Sequence, residues 1–162
     1  DLTENMTNLL QERGYIYTNT KNDRKIVQLI KEKLIYVPVD YEVEISRFYS
    51  DNNSIRSCAL PDGTTVEVGD ESIRCPEILF KPPFHGKTSK GISDCTYEAI
   101  AKCDPDIWKT LMDNVVMAGG NAMIPSIGKR MKKELAELVP RMKSSVLIPS
   151  DVKYSAWIGG SV

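Results

Sequence analysis

Val115 to Pro125 reads Val-Val-Met-Ala-Gly-Gly-Asn-Ala-Met-Ile-Pro: a short apolar run, a double glycine, and a proline ahead of an amphipathic stretch. The apolar run is too short for a helix and has the composition of a buried strand. Ile127, Met131, Leu135 and Leu138 then recur at helical spacing, and Val146 to Ile148 offers a second strand. Strand, turn, helix and strand in this order predict an α/β arrangement, with helices packed on a partly parallel sheet. The turn itself matters because glycine has no Cβ, so another molecule can approach the main chain closely. The amides opening the helix beyond it favour negative charge. A plain strand-to-helix connector has the same pattern, so Gly119-Gly120 enters as a candidate ligand contact and nothing more.

The first half reads differently. Asp1 with Glu4 makes a capping-box-like start to a helix carrying Leu2, Met6, Leu9 and Leu10 on one face and ending at Gly14. Asn22 or Asp23 caps a second helix with the stripe Ile26, Val27, Ile30 and Leu34. Tyr36 to Val39 is a short strand interrupted by Pro38, and Ser50 to Ser54 a polar surface loop. Ser57 to Leu60 and Thr64 to Val68 flank Pro61-Asp62-Gly63, the signature of a small antiparallel hairpin. Asp70 to Phe80 is helical but broken at Pro76, and Pro82, Pro83, Gly86 and Gly91 mark an irregular loop that serves as a boundary. Beyond it Asp94 or Cys95 leads a helix through Ile100, and Asp104-Pro105 supplies an N-cap and first-turn proline for the next. Two strands are too few to cover at least three apolar helix faces, which leads us to expect a segment of a larger protein.

Bulk properties exclude more than they name. With 21 basic and 22 acidic residues the net charge is −1, which supplies no global field toward nucleic acid or an anionic membrane. Cys58, Cys75, Cys95 and Cys103 contain no Cys-x-x-Cys pair, and the single His85 completes no zinc set, so they read as reduced cytosolic thiols. His85 also lacks an Asp or Ser partner at triad-like spacing. Lys31, Glu32 and Lys153 are charged groups that suit a polar ligand such as a nucleotide, although each also reads as a solvated surface residue. The run Lys129 to Lys133 reads as a solvated helix face, with a groove for acidic partners as the sharper alternative. Asp104 and Asp106 read as helix cap and first-turn charge rather than an acid and base pair.

Six motifs in order resemble the actin family. They are Lys31-Glu32-Lys33-Leu34, Leu60-Pro61-Asp62-Gly63, Arg74-Cys75-Pro76-Glu77-x-Leu79-Phe80-x-Pro82, Lys102-Cys103-Asp104-x-Asp106-Ile107, Val116-x-x-Gly119-Gly120, and Lys153-Tyr154-Ser155-x-Trp157-Ile158-Gly159-Gly160-Ser161. Arg13-Gly14-Tyr15 precedes them, so the resemblance spans the chain. It implies part of an actin-like ATPase with a ribonuclease-H-like fold. Residues 1–86 would be an outer helix-rich subdomain with a β-hairpin, resembling actin subdomain 4. Residues 87–162 would be part of the inner ribonuclease-H-like subdomain, resembling actin subdomain 3.

By the same resemblance, Lys31 and Glu32 would line an adenosine pocket. Gly119, Gly120, Asn121 and Met123 would border ribose, phosphates and base, and Lys153 would close the adenine side. Gln28 stands where actins usually have an arginine, and Ile124 where they have an aromatic, which weakens charge assistance and base stacking. The cofactor implied for the complete protein is ATP or ADP with Mg or Ca. The implied partners are other actin or actin-like subunits and actin-binding proteins, in the cytoplasmic cytoskeleton, or in the nucleus for an actin-related protein. Neither nucleic acid nor membrane is an expected partner. Leu60, Pro61, Asp62 and Gly63, with Asp104 and Asp106, resemble longitudinal contact surfaces. The loop Pro82 to Gly91 resembles the hydrophobic plug of a filament, here carrying His85, Lys87 and Lys90, and charge there disfavours a dry contact unless a partner neutralises it. The phosphate-clamping hairpins and metal-coordinating carboxylate belong to motifs this sequence lacks. Slow ATP hydrolysis is therefore expected only of a complete protein, and no catalytic residue or metal ligand is assigned. Two functions follow: a filament-forming actin-like protein, or a non-polymerising actin-related subunit using nucleotide structurally. A sugar kinase or chaperone ATPase of the wider superfamily is the enzyme-class alternative.

Overall fold

A computed structural model describes residues 2–18, 20–50, 55–86 and 88–162, without the side chains of Phe84 and His85. The expected cap at Asp1, the loop over 51–54 and Lys87 lie outside the described residues. The chain divides into two compact units, Asp1–Ile78 and Leu79–Val162.

In the first unit, helix α1 (Leu2–Glu12) packs on α2 (Lys21–Leu34) and α4 (Glu71–Glu77). Met6, Leu10, Val27, Ile30 and Ile73 are fully buried where they meet. The end of α1 is a Schellman motif: Gly14 N–H donates to Gln11 O at 2.9 Å and Tyr15 N–H to Leu10 O at 3.0 Å. It turns on Gly14 at φ 98. Arg13 then pairs with the buried Glu71 at 3.0 Å, and the Tyr15 hydroxyl donates to Glu67 O at 3.2 Å while accepting from Glu67 N–H at 3.1 Å. The cap of α2 is Thr20, whose hydroxyl accepts from Asp23 N–H at 3.2 Å. This corrects the expectation of Asn22 or Asp23; those residues are already in the first turn, where Asp23 instead accepts from the Thr18 hydroxyl at 2.7 Å.

Strands β1 (Arg56–Ala59) and β2 (Thr65–Val68) form the expected antiparallel hairpin, with Arg56 opposite Val68 and Ala59 opposite Thr65. The expected strand over Tyr36 to Val39 does not form. Tyr36 N–H there donates to Ser72 O at 3.2 Å, a bond outside any strand ladder. Pro76 explains that partner: lacking N–H, it leaves the carbonyl four residues back, Ser72, without an intrahelical donor. The mixed segment that follows is a helix, α3 (Tyr41–Ser50), whose Tyr41, Ile45 and Phe48 recur at helical spacing but are only half-buried.

In the second unit, Pro82–His85 forms a 3-10 turn, followed by α5 (Ile92–Ala101). Helix α5 begins before the expected Asp94 or Cys95 because Gly91 occupies the cap position. A 3-10 turn over Pro105–Ile107 leads into α6 (Trp108–Met112), with Asp104 capping it as expected. Strands β3 (Val115–Val116) and β4 (Val146–Leu147) pair in parallel, Val115 opposite Val146. Both are shorter than expected, although Met117 N–H still donates to Leu147 O at 2.9 Å. Helix α7 (Ile127–Leu138) packs on α5 and on β4. It starts after a 3-10 turn at Gly120–Met123, with Ser126 at its cap and Pro125 just ahead of it. The expectation that its basic run is wholly solvated fails at Arg130. That residue is buried, donates to Glu134 Oε1 at 2.7 Å and lies 5.1 Å from the Phe80 ring centroid. Ser93 Oγ donates to the other Glu134 oxygen at 2.7 Å. The final helix, α8 (Ser155–Gly159), buries none of its residues. Among the described residues, no helix is long and apolar enough to cross a membrane.

Candidate functional site

The short strand β3 delivers the chain to Gly119 at φ 96, ψ 171, a backbone state that side-chain-bearing residues rarely adopt. A Cβ added at Gly119 or Gly120 would meet nothing within 4 Å, so the main chain of the turn faces open space. The turn is fixed from behind. Gly119 N–H donates to Val152 O at 2.7 Å, and Ala122 N–H donates to Gly119 O at 3.0 Å. Ala122 and Val152 are buried and anchor the two segments, leaving Asn121, Met123 and Lys153 exposed and Ile124 half-buried. Lys153 Nζ sits 5.4 Å from the Tyr154 ring centroid. The structure thus brings Gly119-Gly120 and Lys153 together, which their separation in sequence does not. The signal for this was Val152, a lone apolar residue between Asp151 and Lys153.

In the other unit, Gln28, Lys31 and Glu32 lie on α2. Gln28 Nε2 donates to Glu32 Oε1 at 2.8 Å, one helical turn away. Lys31 Nζ donates to Thr3 Oγ1 at 3.1 Å, tying the end of α2 to α1. Thr3 is a site neighbour that sequence reasoning missed, being a polar residue on a mostly apolar helix face.

A family model described as Actin matches residues 2–162. The chain belongs to the actin family. In this actin-family chain the six quoted motifs fall on turns, caps and packing points. Leu60 is buried beneath the Pro61-Asp62-Gly63 turn, where Asp62 Oδ1 accepts from Thr64 N–H at 2.9 Å and from its hydroxyl at 2.7 Å. Those two bonds hold the Asp62 carboxyl below the usual range. Asp104 Oδ1 accepts from Asp106 N–H at 3.0 Å, and both residues are exposed. In the loop after the 3-10 turn, Lys90 is ion-paired with Glu98. That contact raises the lysine's pKa and lowers the carboxyl's. His85 contributes backbone to the turn. Among the described residues, no three His, Cys, Asp or Glu side chains gather as a metal site, so no residue here is assigned to hold one.

Proposed function

We propose that this chain belongs to a divergent actin that binds ATP or ADP with Mg or Ca and assembles with like subunits into a cytoskeletal filament. Family membership over residues 2–162 supports an actin-like protein in general. The observation that carries the nucleotide reading is the Gly119 N–H to Val152 O bond at 2.7 Å, which sets an open glycine backbone beside Lys153. An anionic, hydrogen-bonding ligand suits such a surface: close main-chain approach needs the missing side chain, and the ammonium supplies charge-assisted contact. The test is titration of the native protein with a fluorescent ATP analogue and Mg. Lys153→Ala and Gly120→Val are expected to weaken binding roughly tenfold with an unchanged melting temperature, as loss of one charged or close contact would. A native protein that does not bind the analogue sinks the reading.

The second reading is an actin-related subunit that keeps nucleotide structurally and does not polymerise. It draws on Gln28, neutral and engaged with Glu32, and on Lys90 of the plug-like loop, whose charge is held there by Glu98 of α5. Sedimentation under polymerising salt separates the two, since only the first forms a pellet.

A further inference from the structure

Residues 126–145 hold six lysines and arginines against two glutamates, in a chain whose net charge is −1. Arg130 and Glu134 are buried together and leave the surface account. Lys129, Lys132 and Lys133 remain on the face of α7 opposite the buried Ile127, Met131 and Leu135. The chain then returns along the helix. Ser144 Oγ donates to Lys132 O at 3.4 Å, so the segment that carries the exposed Lys143 meets α7 at Lys132. Lys133 reaches Glu137 at 3.8 Å. Lys129, Lys132, Arg141 and Lys143 are exposed and form no ion pair among the described residues.

This arrangement works against the helix, because like charges three and four residues apart repel each other. Solubility alone would be served by interspersed signs. We propose that the face is a docking strip for an acidic segment of a protein partner, rich in Asp and Glu and lying along α7. The strip is one helix face wide and the rest of the chain is net acidic. A short acidic segment feels the lysines within a screening length of about 8 Å, whereas a broad polyanion would also meet the acidic remainder. Residues 126–145 contain no aromatic side chain on which a base could stack. Ala136 and Leu138, the exposed apolar residues of α7, offer too little apolar surface to anchor a membrane-surface helix.

The experiment is fluorescence anisotropy of the full chain with a labelled Glu-rich peptide, beside its Gln-substituted counterpart, a DNA duplex and phosphatidylserine vesicles. The expected result is salt-sensitive binding of the Glu peptide and none of the Gln peptide. The combined Lys129→Glu, Lys132→Glu and Lys143→Glu variant loses roughly tenfold or more in affinity, and Lys→Arg at the same positions retains it. Lys→Gln at the three positions serves where the reversal lowers the melting temperature, and is expected to lose part of the affinity. The proposal is overturned by no binding, by equal binding of the Gln peptide, by indifference to the substitutions, or by tighter binding of DNA or vesicles.

Discussion

Gly91 carries no side chain because there is no room for one. A Cβ there would stand 2.0 Å from the Phe80 carbonyl oxygen, and the clash is with backbone, which cannot step aside as a side chain would. The contact is reinforced by Ile92 N–H donating to Leu79 O at 2.9 Å. Phe80, fully buried, is held at the start of its unit by this crossing of two chain segments. Gly91→Ala is therefore expected to cost about 2 kcal/mol or more, in line with overpacking of a rigid site. Thermal melting checks it, and a variant with unchanged melting temperature removes the argument. The sequence flagged Gly91 as a loop glycine. Its true constraint is long-range packing, which composition does not encode.

Elements announced by their own periodicity or punctuation were legible: α1, α2, the hairpin about Pro61-Asp62-Gly63, α7 and the Asp104 cap all form. What escaped was decided by partners distant in sequence. Helix α3 carries Tyr41, Ile45 and Phe48 at helical spacing but fully buries none of them, and the stretch over Tyr36 has strand composition but forms no strand. The charges of α7 show the same limit. A basic run looks uniform, yet Arg130 faces inward to Glu134 and Phe80 while Lys129 and Lys132 face out. Of the candidate site, the glycines and Lys153 were legible as residue types, but their adjacency rests on the bond to Val152. Because the Arg130–Glu134 pair is buried and Ser93 bonds the same carboxylate, Glu134→Ala removes the carboxylate that balances a buried guanidinium and is expected to cost about 3–5 kcal/mol. Glu134→Gln, which keeps the shape and an acceptor, is expected to cost less. Urea unfolding of both variants measures the difference, and equal losses would mean that the charge is immaterial.

At the scale of the whole molecule, the two units differ in how they answer alkali. Burial pushes the Cys75 thiol from 9.0 up to about 12. Burial, then the hydrogen bond to Glu44, pushes the Tyr36 hydroxyl from 10.0 up to about 12. Burial also raises Tyr17 and Tyr41. All four belong to Asp1–Ile78. A folded-state pKa above the unfolded value means that the unfolded chain gives up its proton first. The stabilisation is thus complete below about pH 9 and falls away as the pH climbs toward 12. Trp108 and Trp157 lie in Leu79–Val162, so tryptophan emission reports the other unit. An alkaline titration is expected to lose helical circular dichroism before emission changes, and Cys75→Ala to flatten the early part of the loss. Coincident transitions would contradict it. The bond from Tyr36 to the carbonyl vacated by Pro76 has a consequence in time rather than in energy. An amide outside every helix and strand should resist deuterium as long as α4 stays closed, and its exchange should keep pace with α4 rather than with its neighbour Val37. Pro76→Ala, by giving that carbonyl a donor within its own helix, should let Tyr36 exchange sooner.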